Sequence, residues 1–332
     1  MVAKKKVTFL MSCLLTLSLF GGCASNNKDI SKKKFKIGIS QIVEHPALDA
    51  SRKGFLDGLK SKGFEEGKNL EIDYQNSQGD IPAAQTIAQK FVSEKDDLIF
   101  AISTPSSQAA FNTTKDIPIV ITAVTDPVKA GIVKSLDKPS TNVTGSIDKV
   151  PIENQFKLIK ELLPSAKNIG ILYNTSEANS DVQIKEAKQF APQFGLNIIT
   201  SGITTTNDIP QSLNAIINKI DALYVPTDNM VVSSLSLISN KCNEKNIPII
   251  GAEKAHVESG ALITNGIDYY DLGVETGILA SEILKGKKPT EIPIHTVKNT
   301  KIFINESALK KLNIKIPENI LSKAEKVKGG LK

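Results

Sequence analysis

From Lys36 onward, short apolar runs alternate along the chain with stretches whose apolar positions recur at helical spacing. A brief apolar run bounded by polar residues predicts a buried strand, and the 3.6-residue period predicts a helix with one packed face. On that basis Lys36–Ser40 is a strand, and Ala47–Lys62, with Leu48, Phe55, Leu56 and Leu59 in phase, is a helix. Leu70–Tyr74, Leu98–Ile102 and Ile117–Ile121 follow as strands, separated by helices over Ile81–Val92 and Pro105–Thr114. The alternation then restarts. Asn168–Tyr173, Asn197–Thr200, Ala222–Val225 and Pro248–Gly251 read as strands, with helices over Val182–Gln193, Asp208–Lys219 and Asn229–Lys245. Strands that alternate with helices imply right-handed crossovers and parallel sheets.

The restart is a repeat. Ile37-Gly38-Ile39 returns as Ile169-Gly170-Ile171, and Asp80-Ile81-Pro82 as Asp208-Ile209-Pro210, at separations of 132 and 128 residues. Ile117-Pro118-Ile119-Val120 returns as Ile247-Pro248-Ile249-Ile250 at a separation of 130. Asp97-Leu98-Ile99 and Asp221-Ala222-Leu223 lie in order between the last two pairs. One short match is chance, but an ordered series at nearly one offset describes two similar units. The fold class is therefore α/β, with two Rossmann-like parallel-sheet lobes and a ligand cleft between them. Beyond the repeat, Ala261–Ile267 and Thr300–Ile304 read as strands, and Leu272–Lys285 and Glu306–Leu312 as helices. Assigning these pieces back to the first lobe and then to the second gives three lobe-to-lobe crossings, an assignment the leftover elements suggest without forcing. The lobes are then 35–148 plus about 268–295, and 149–267 plus about 296–322, with 323–332 as a frayed tail.

The N-terminus carries a different pattern. Lys4, Lys5 and Lys6 precede a largely apolar run from Val7 to Phe20, shorter than the roughly 20 residues of a spanning helix. The order of basic and apolar regions is that of a signal peptide over 1–22. Leu19-Phe20-Gly21-Gly22-Cys23 resembles a bacterial lipoprotein cleavage box, which makes Cys23 the lipidation site and 23–34 a polar tether. Diacylation supplies two chains, enough for stable anchoring on the extracytoplasmic face of the cell membrane. An uncut anchor and a plain secretory signal are the competing readings. Removing the three leader lysines lowers the formal net charge from +6 to +3, so bulk charge offers no case for nucleic acid. With 40% hydrophobic residues, no Trp and three Cys, the body is an ordinary globular chain without a disulfide framework. Cys242 is left as a buried small side chain.

Ligands of open parallel sheets bind beyond the carboxyl ends of the strands, so the strand-to-helix turns are the candidate site. After the third strand comes Ser103-Thr104-Pro105-Ser106-Ser107, in which Thr104 fits an N-cap and Pro105 the first helical position. Its hydroxyls and free amides suit a carboxylate or phosphate, or simply cap a helix. Thr122, at the end of the fourth strand, can donate to the same anion. In the second unit Asp228, followed by Asn229, either caps a helix or pairs with a ligand ammonium. Glu44, His45 and Leu48 in the first turn of lobe one face Glu177, Asn179 and Ser180 in the equivalent turn of lobe two. Glu253 enters on position alone. Solvated loop and surface roles are the alternatives for these turn residues.

Catalytic patterns are missing from the sequence. His45, His256 and His295 have no metal-ligand spacing, and no G-x-S-x-G, G-x-G-x-x-G or P-loop pattern occurs. No cofactor, metal or catalytic residue is expected, although paired carboxylates leave no local motif.

With these turns in view, the chain resembles a bacterial ABC transporter substrate-binding lipoprotein of the family that includes tryptophan- and other aromatic-amino-acid-binding members. The matching stretches are Glu44-His45-Pro46-Ala47-Leu48-Asp49, Thr104-Pro105, Thr122–Pro127, Tyr173–Ser180, Tyr224–Asn229 and Gly266–Tyr270. The resemblance implies the type I periplasmic-binding-protein fold and a monomer that takes a free amino acid into its cleft. It further implies an ABC permease and its ATPase subunits as partners and membrane attachment through Cys23. It places carboxylate contacts near Ser103–Ser107 and Thr122, and an ammonium contact at Asp228. Ala252-Glu253-Lys254-Ala255-His256 departs from the family pattern. An aromatic side chain would rest on His45, Leu48, Pro226 and Tyr270; a branched-chain amino acid, another small polar solute, and a sugar-binding sensor or enzyme on the same fold are the alternatives.

Overall fold

The computed structural model describes residues 33–297 and 299–328. The signal segment 1–22, Cys23 and the tether up to residue 32 lie outside the described residues. The first lobe runs β1 (Phe35–Gln41), α1 (Pro46–Ser61), β2 (Leu70–Asn76), α2 (Ile81–Ser93), β3 (Leu98–Ile102), α3 (Thr104–Thr113), β4 (Ile119–Val124) and β5 (Val143–Ile147). The chain then crosses to α4 (Ile152–Leu162), β6 (Asn168–Asn174), α5 (Ala178–Phe190), β7 (Asn197–Ile203), α6 (Ile209–Ile216) and β8 (Ala222–Val225). The second lobe continues with α7 (Asn229–Ser233), α8 (Leu235–Glu244), β9 (Ile249–Gly251), α9 (Lys254–Glu258) and β10 (Ile263–Gly266). A second crossing leads to α10 (Tyr269–Leu284) and β11 (His295–Thr296). A third leads to β12 (Lys301–Asn305), α11 (Glu306–Leu312), α12 (Glu318–Leu321) and β13 (Ala324–Val327).

The duplication is visible in the sheets. Lobe one has the order β11-β5-β4-β3-β1-β2 and lobe two the order β13-β12-β10-β9-β8-β6-β7, the same succession with one more strand at the edge. The pairings are parallel except where β12 returns antiparallel to β10. Strands buried on both faces read as continuous apolar runs, as Leu98–Ile102 does. In lobe two the sheet separates Phe156, Ile184 and Ala308 on one face from Leu213, Val231 and Ile238 on the other. In lobe one Phe55 of α1 stacks on Phe100 of β3 with ring centroids 3.6 Å apart.

Several elements differ from the sequence reading. β5 is built from Val143-Thr144-Gly145-Ser146-Ile147, whose small polar residues hide a fully buried strand. Their hydroxyls are partnered inside the lobe: Thr144 donates to the Ile292 carbonyl at 2.9 Å, and Ser146 bonds Thr276. The helix expected over Asn229–Lys245 breaks at Ser234, which lies outside helical geometry at φ −110° and ψ 13°. The frayed tail is a correction: Ala324–Val327 pairs in parallel with Ile302–Asn305, so chain order reaches past residue 322. Among the described residues, no helix is long and apolar enough to cross a membrane.

The second crossing is held by helix packing. α10 lies on α1 so closely that a Cβ added at Gly54 would sit 2.1 Å from the Tyr270 carbonyl oxygen. One added at Gly273 would sit 2.1 Å from the Ser51 carbonyl oxygen. A glycine in mid-helix costs about 1 kcal/mol relative to alanine, so this approach of two backbones carries an energetic cost that packing must exceed. Gly54→Ala is therefore expected to destabilise the protein by about 2 kcal/mol despite the better helix propensity, because the helices must separate. Urea unfolding checks this; unchanged or raised stability would contradict the tight crossing.

Candidate functional site

The carboxyl ends of the two sheets face each other. Thr125 and Thr227 meet across the lobes with their hydroxyls 3.2 Å apart, and Lys129 reaches Glu186 at 3.2 Å. Between them lies a pocket walled by His45, Ala47, Leu48 and Ala123 from lobe one and by Thr227, Asp228, Asn229, Val232, Glu253 and His256 from lobe two. Asp148 of the first crossing and Tyr269 of the second also line it. A wider space at the cleft mouth, walled partly by Ile42, Val43, Thr204 and Met230, shares Glu177 and Asn229 with the site.

On lobe one, Ser103 rather than Thr104 holds the cap position of α3, with Thr104 and Pro105 opening the helix. Ser103 has φ 86° and Ala123 φ 54°, two non-glycine residues in the left-handed region at adjacent strand ends. Such backbone costs about 1–3 kcal/mol per residue and persists where surroundings enforce it. The hydroxyls of Ser103, Thr104 and Ser106 are buried and have no hydrogen-bond partner. Buried polar atoms are nearly always paired, so three hydroxyls without partners beside the amides of a helix start are free to donate to an acceptor. Ser107 is different: its hydroxyl donates to the Ser103 carbonyl at 2.7 Å. Thr122 is likewise drawn inward, within 3.3 Å of Ser51 and 3.2 Å of Ser146.

Lobe two answers with carboxylates. Asp228 caps α7, accepting from the Val231 amide at 2.9 Å, and its other oxygen accepts from the Asn174 amide at 2.5 Å and the Ser180 hydroxyl at 2.6 Å. It is thus both a cap and a wall of the pocket, and the oxygen facing Val231 keeps a lone pair. Burial, aided by the nearby Glu177 charge, pushes its carboxyl up to about 7. Glu253 caps α9 through the Ala255 and His256 amides at 2.6 and 3.0 Å, and burial pushes it up to about 8. Glu177 binds the side chains of Asn174, Asn179 and Asn229, an acceptor hub that fixes the turn. Asn179 also donates to the Thr227 carbonyl at 3.0 Å. Both histidines are held neutral by burial, His45 lowered to about 4 and His256 to about 3.

The structure therefore gathers His45, Leu48, Asp228, Asn229 and Glu253 around one pocket, with Glu177, Asn179 and Ser180 positioning them. Glu44 is outside this group: it is exposed and accepts from the Tyr74 hydroxyl at 3.3 Å. Tyr270 also points elsewhere, donating to Asp57 at 2.9 Å, and Pro226 does not line the pocket. The residues that sequence reasoning passed over are Asp148, Thr227, His256 and Tyr269. Tyr269 stands next to Tyr270 and differs by one helical step, so only the buried face of α10 separates them. Its hydroxyl bonds Asp148, and burial raises both groups. Cys242 is buried, its thiol pushed up to about 12.

Residues 36–328 match the model of the family described as ABC transporter substrate binding protein. The chain is 48% identical over 321 residues to the tyrosine-binding protein of Clostridioides difficile (strain R20291), covering 94% of this chain and 93% of that one. A solved ABC domain from Streptococcus pneumonia in complex with L-Trp is 39% identical, with a TM-score of 0.85 over 89% of this chain and all of that one (100%). A ligand-free, open substrate binding protein with adhesive properties from Clostridium difficile is 51% identical at the same coverage, 89% and 100%, yet scores 0.68. Shape and sequence thus rank these two oppositely.

The titrating groups in the cleft set a pH dependence. Glu253 and Asp228 are raised, so the folded state keeps protons that the unfolded chain releases, and their contribution to stability is lost as pH rises towards 8. His45 and His256 are lowered, so their contribution is lost as pH falls from 6.5 towards 4. Below pH 6.5 the two effects oppose each other; above it only the carboxyls titrate. Stability without ligand is expected to fall by about 2 kcal/mol between pH 6.5 and 8, measured by urea unfolding. A rise across that interval would contradict the buried carboxyls.

Proposed function

The chain belongs to the family of ABC transporter substrate binding proteins, which bind solutes rather than transform them, and from that premise we propose that it captures a free aromatic amino acid for import. What supports this reading is the pairing of three buried, unpartnered hydroxyls, on Ser103, Thr104 and Ser106 at the carboxyl end of the lobe-one sheet, with the buried carboxyl of Asp228 at the carboxyl end of the lobe-two sheet. An amino acid zwitterion satisfies both sides. Its carboxylate takes the hydroxyls and the α3 amides, and its ammonium takes the lone pair left on Asp228. A buried carboxyl without a cation costs several kcal/mol when ionised, so the ligand ammonium is what lets Asp228 shed its proton. The apolar wall of Ala47, Leu48, Ala123 and Val232 receives the side chain. The tyrosine-binding and tryptophan-bound relatives support an aromatic one.

In this reading Cys23 carries the lipid that holds a monomeric receptor at the extracytoplasmic face of the cell membrane. Ligand closes the lobes about the three crossings, and the closed form delivers its cargo to a permease driven by ATPase subunits.

Thermal unfolding in the presence of each of the twenty amino acids tests the capture step. Tyrosine, tryptophan or phenylalanine at about 100 times its dissociation constant should add about 2.7 kcal/mol of stability. Asp228→Asn keeps an acceptor for the α7 cap but removes the charge, and should weaken binding about 10- to 100-fold. Stabilisation by none of the twenty, or an affinity unmoved in Asp228→Asn, would overturn the assignment.

A further inference from the structure

His45 stands apart from the other polar walls of the pocket. Asp228, Asn229, Glu253, His256, Thr227 and Tyr269 each have a hydrogen bond within the protein. His45 is 7% exposed, and neither of its ring nitrogens has a partner. The Asn229 side chain comes near enough to favour a charged imidazole slightly, but no hydrogen bond of normal geometry joins the two, and the Asn229 amide donates to Glu177 at 2.5 Å. His45 does not cap the helix it precedes, since its side chain makes no cap bond to α1. Its position follows from sheet order. β3 lies between β1 and β4, so the anion-seeking turn after β3 is flanked by His45 on one side and Ala123 on the other. A ligand with its carboxylate on the middle turn and its ammonium on Asp228 has its side chain left for the apolar wall of Leu48 and Val232, beside His45.

Resting on the reading above, we propose that His45 is the specificity residue of this pocket: it hydrogen-bonds a polar group on the ligand's aromatic ring, a phenol or an indole N–H, and so selects tyrosine or tryptophan over phenylalanine. A neutral imidazole offers one donor and one acceptor, which suits either group. Burial keeps His45 in that form through the physiological range. A phenyl ring in the same place leaves two buried nitrogens unpaired, and sites built to bond a ring substituent reject the analogue that lacks it.

The test is calorimetric titration of the full chain and of His45→Leu and His45→Gln with tyrosine, tryptophan and phenylalanine. In the unaltered chain, phenylalanine should bind about 10- to 100-fold more weakly than the better of the other two. The tighter ligand identifies the group as phenol or indole. His45→Leu should bring that ligand down to the level of phenylalanine while leaving phenylalanine within about threefold, and His45→Gln should restore part of the preference. Equal affinity for all three in the unaltered chain, or an equal loss for all three in His45→Leu, would overturn the role of His45 and leave amino acid capture standing. No binding of any of the three would overturn both.

Discussion

A closed cleft strips water from every polar atom on its walls, and those atoms must then find partners or carry a cost of about 1–3 kcal/mol each. Two lobes that closed on matching apolar faces would have no such obligation and no means of choosing a guest. Here lobe one carries Ser103, Thr104 and Ser106 with unpaired hydroxyls at the start of α3, and lobe two lines the pocket with Asp228 and Glu253, beside histidines that burial keeps neutral. In the proposed reading this asymmetry suits a guest that is negative at one end and positive at the other. Much of the remaining architecture keeps these walls in register.

The duplicated sheet does most of that work. Each lobe offers its strand ends to the cleft in the same succession, so equivalent turns meet without long loops. Left-handed backbone at Ser103 and Ala123 aims the two central turns, and the hydrogen bonds behind Thr122 tie them to β5 and α10. α10 in turn is fixed by its glycine-to-backbone contact with α1, so the second crossing leaves the cleft from a rigid base. Tyr269 at the start of that helix bonds Asp148 of the first crossing. Two of the three connections are therefore joined at the pocket.

Much of this architecture was legible in the chain. Period and repeat gave the two sheets and the turns, because buried parallel strands leave long apolar runs such as Leu98–Ile102. The amphipathic α4, with Ile152, Phe156, Ile159 and Leu162 on its buried side, carried a readable period that the strand-centred repeat drew attention away from. β5 was not readable, since Thr144 and Ser146 are buried for the sake of long-range hydroxyl bonds. In the site, residue type and turn position located Asp228 and His45 among the side chains that line the pocket. They failed for Glu44 and Tyr270, where one residue along a turn or helix decides between cleft and surface, and sequence patterns do not resolve a single step. Asp148 and Tyr269 belong to crossings, whose geometry exists only after both lobes have formed.

The most direct measurement is a crystal structure of the protein grown with tyrosine. The account predicts the amino acid enclosed between the lobes, its carboxylate oxygens within hydrogen-bond distance of Thr104 and Ser106, and its ammonium on Asp228. A ligand bound in the reverse sense, or one lying outside the cleft with Ser103, Thr104 and Ser106 still unpaired, would contradict it.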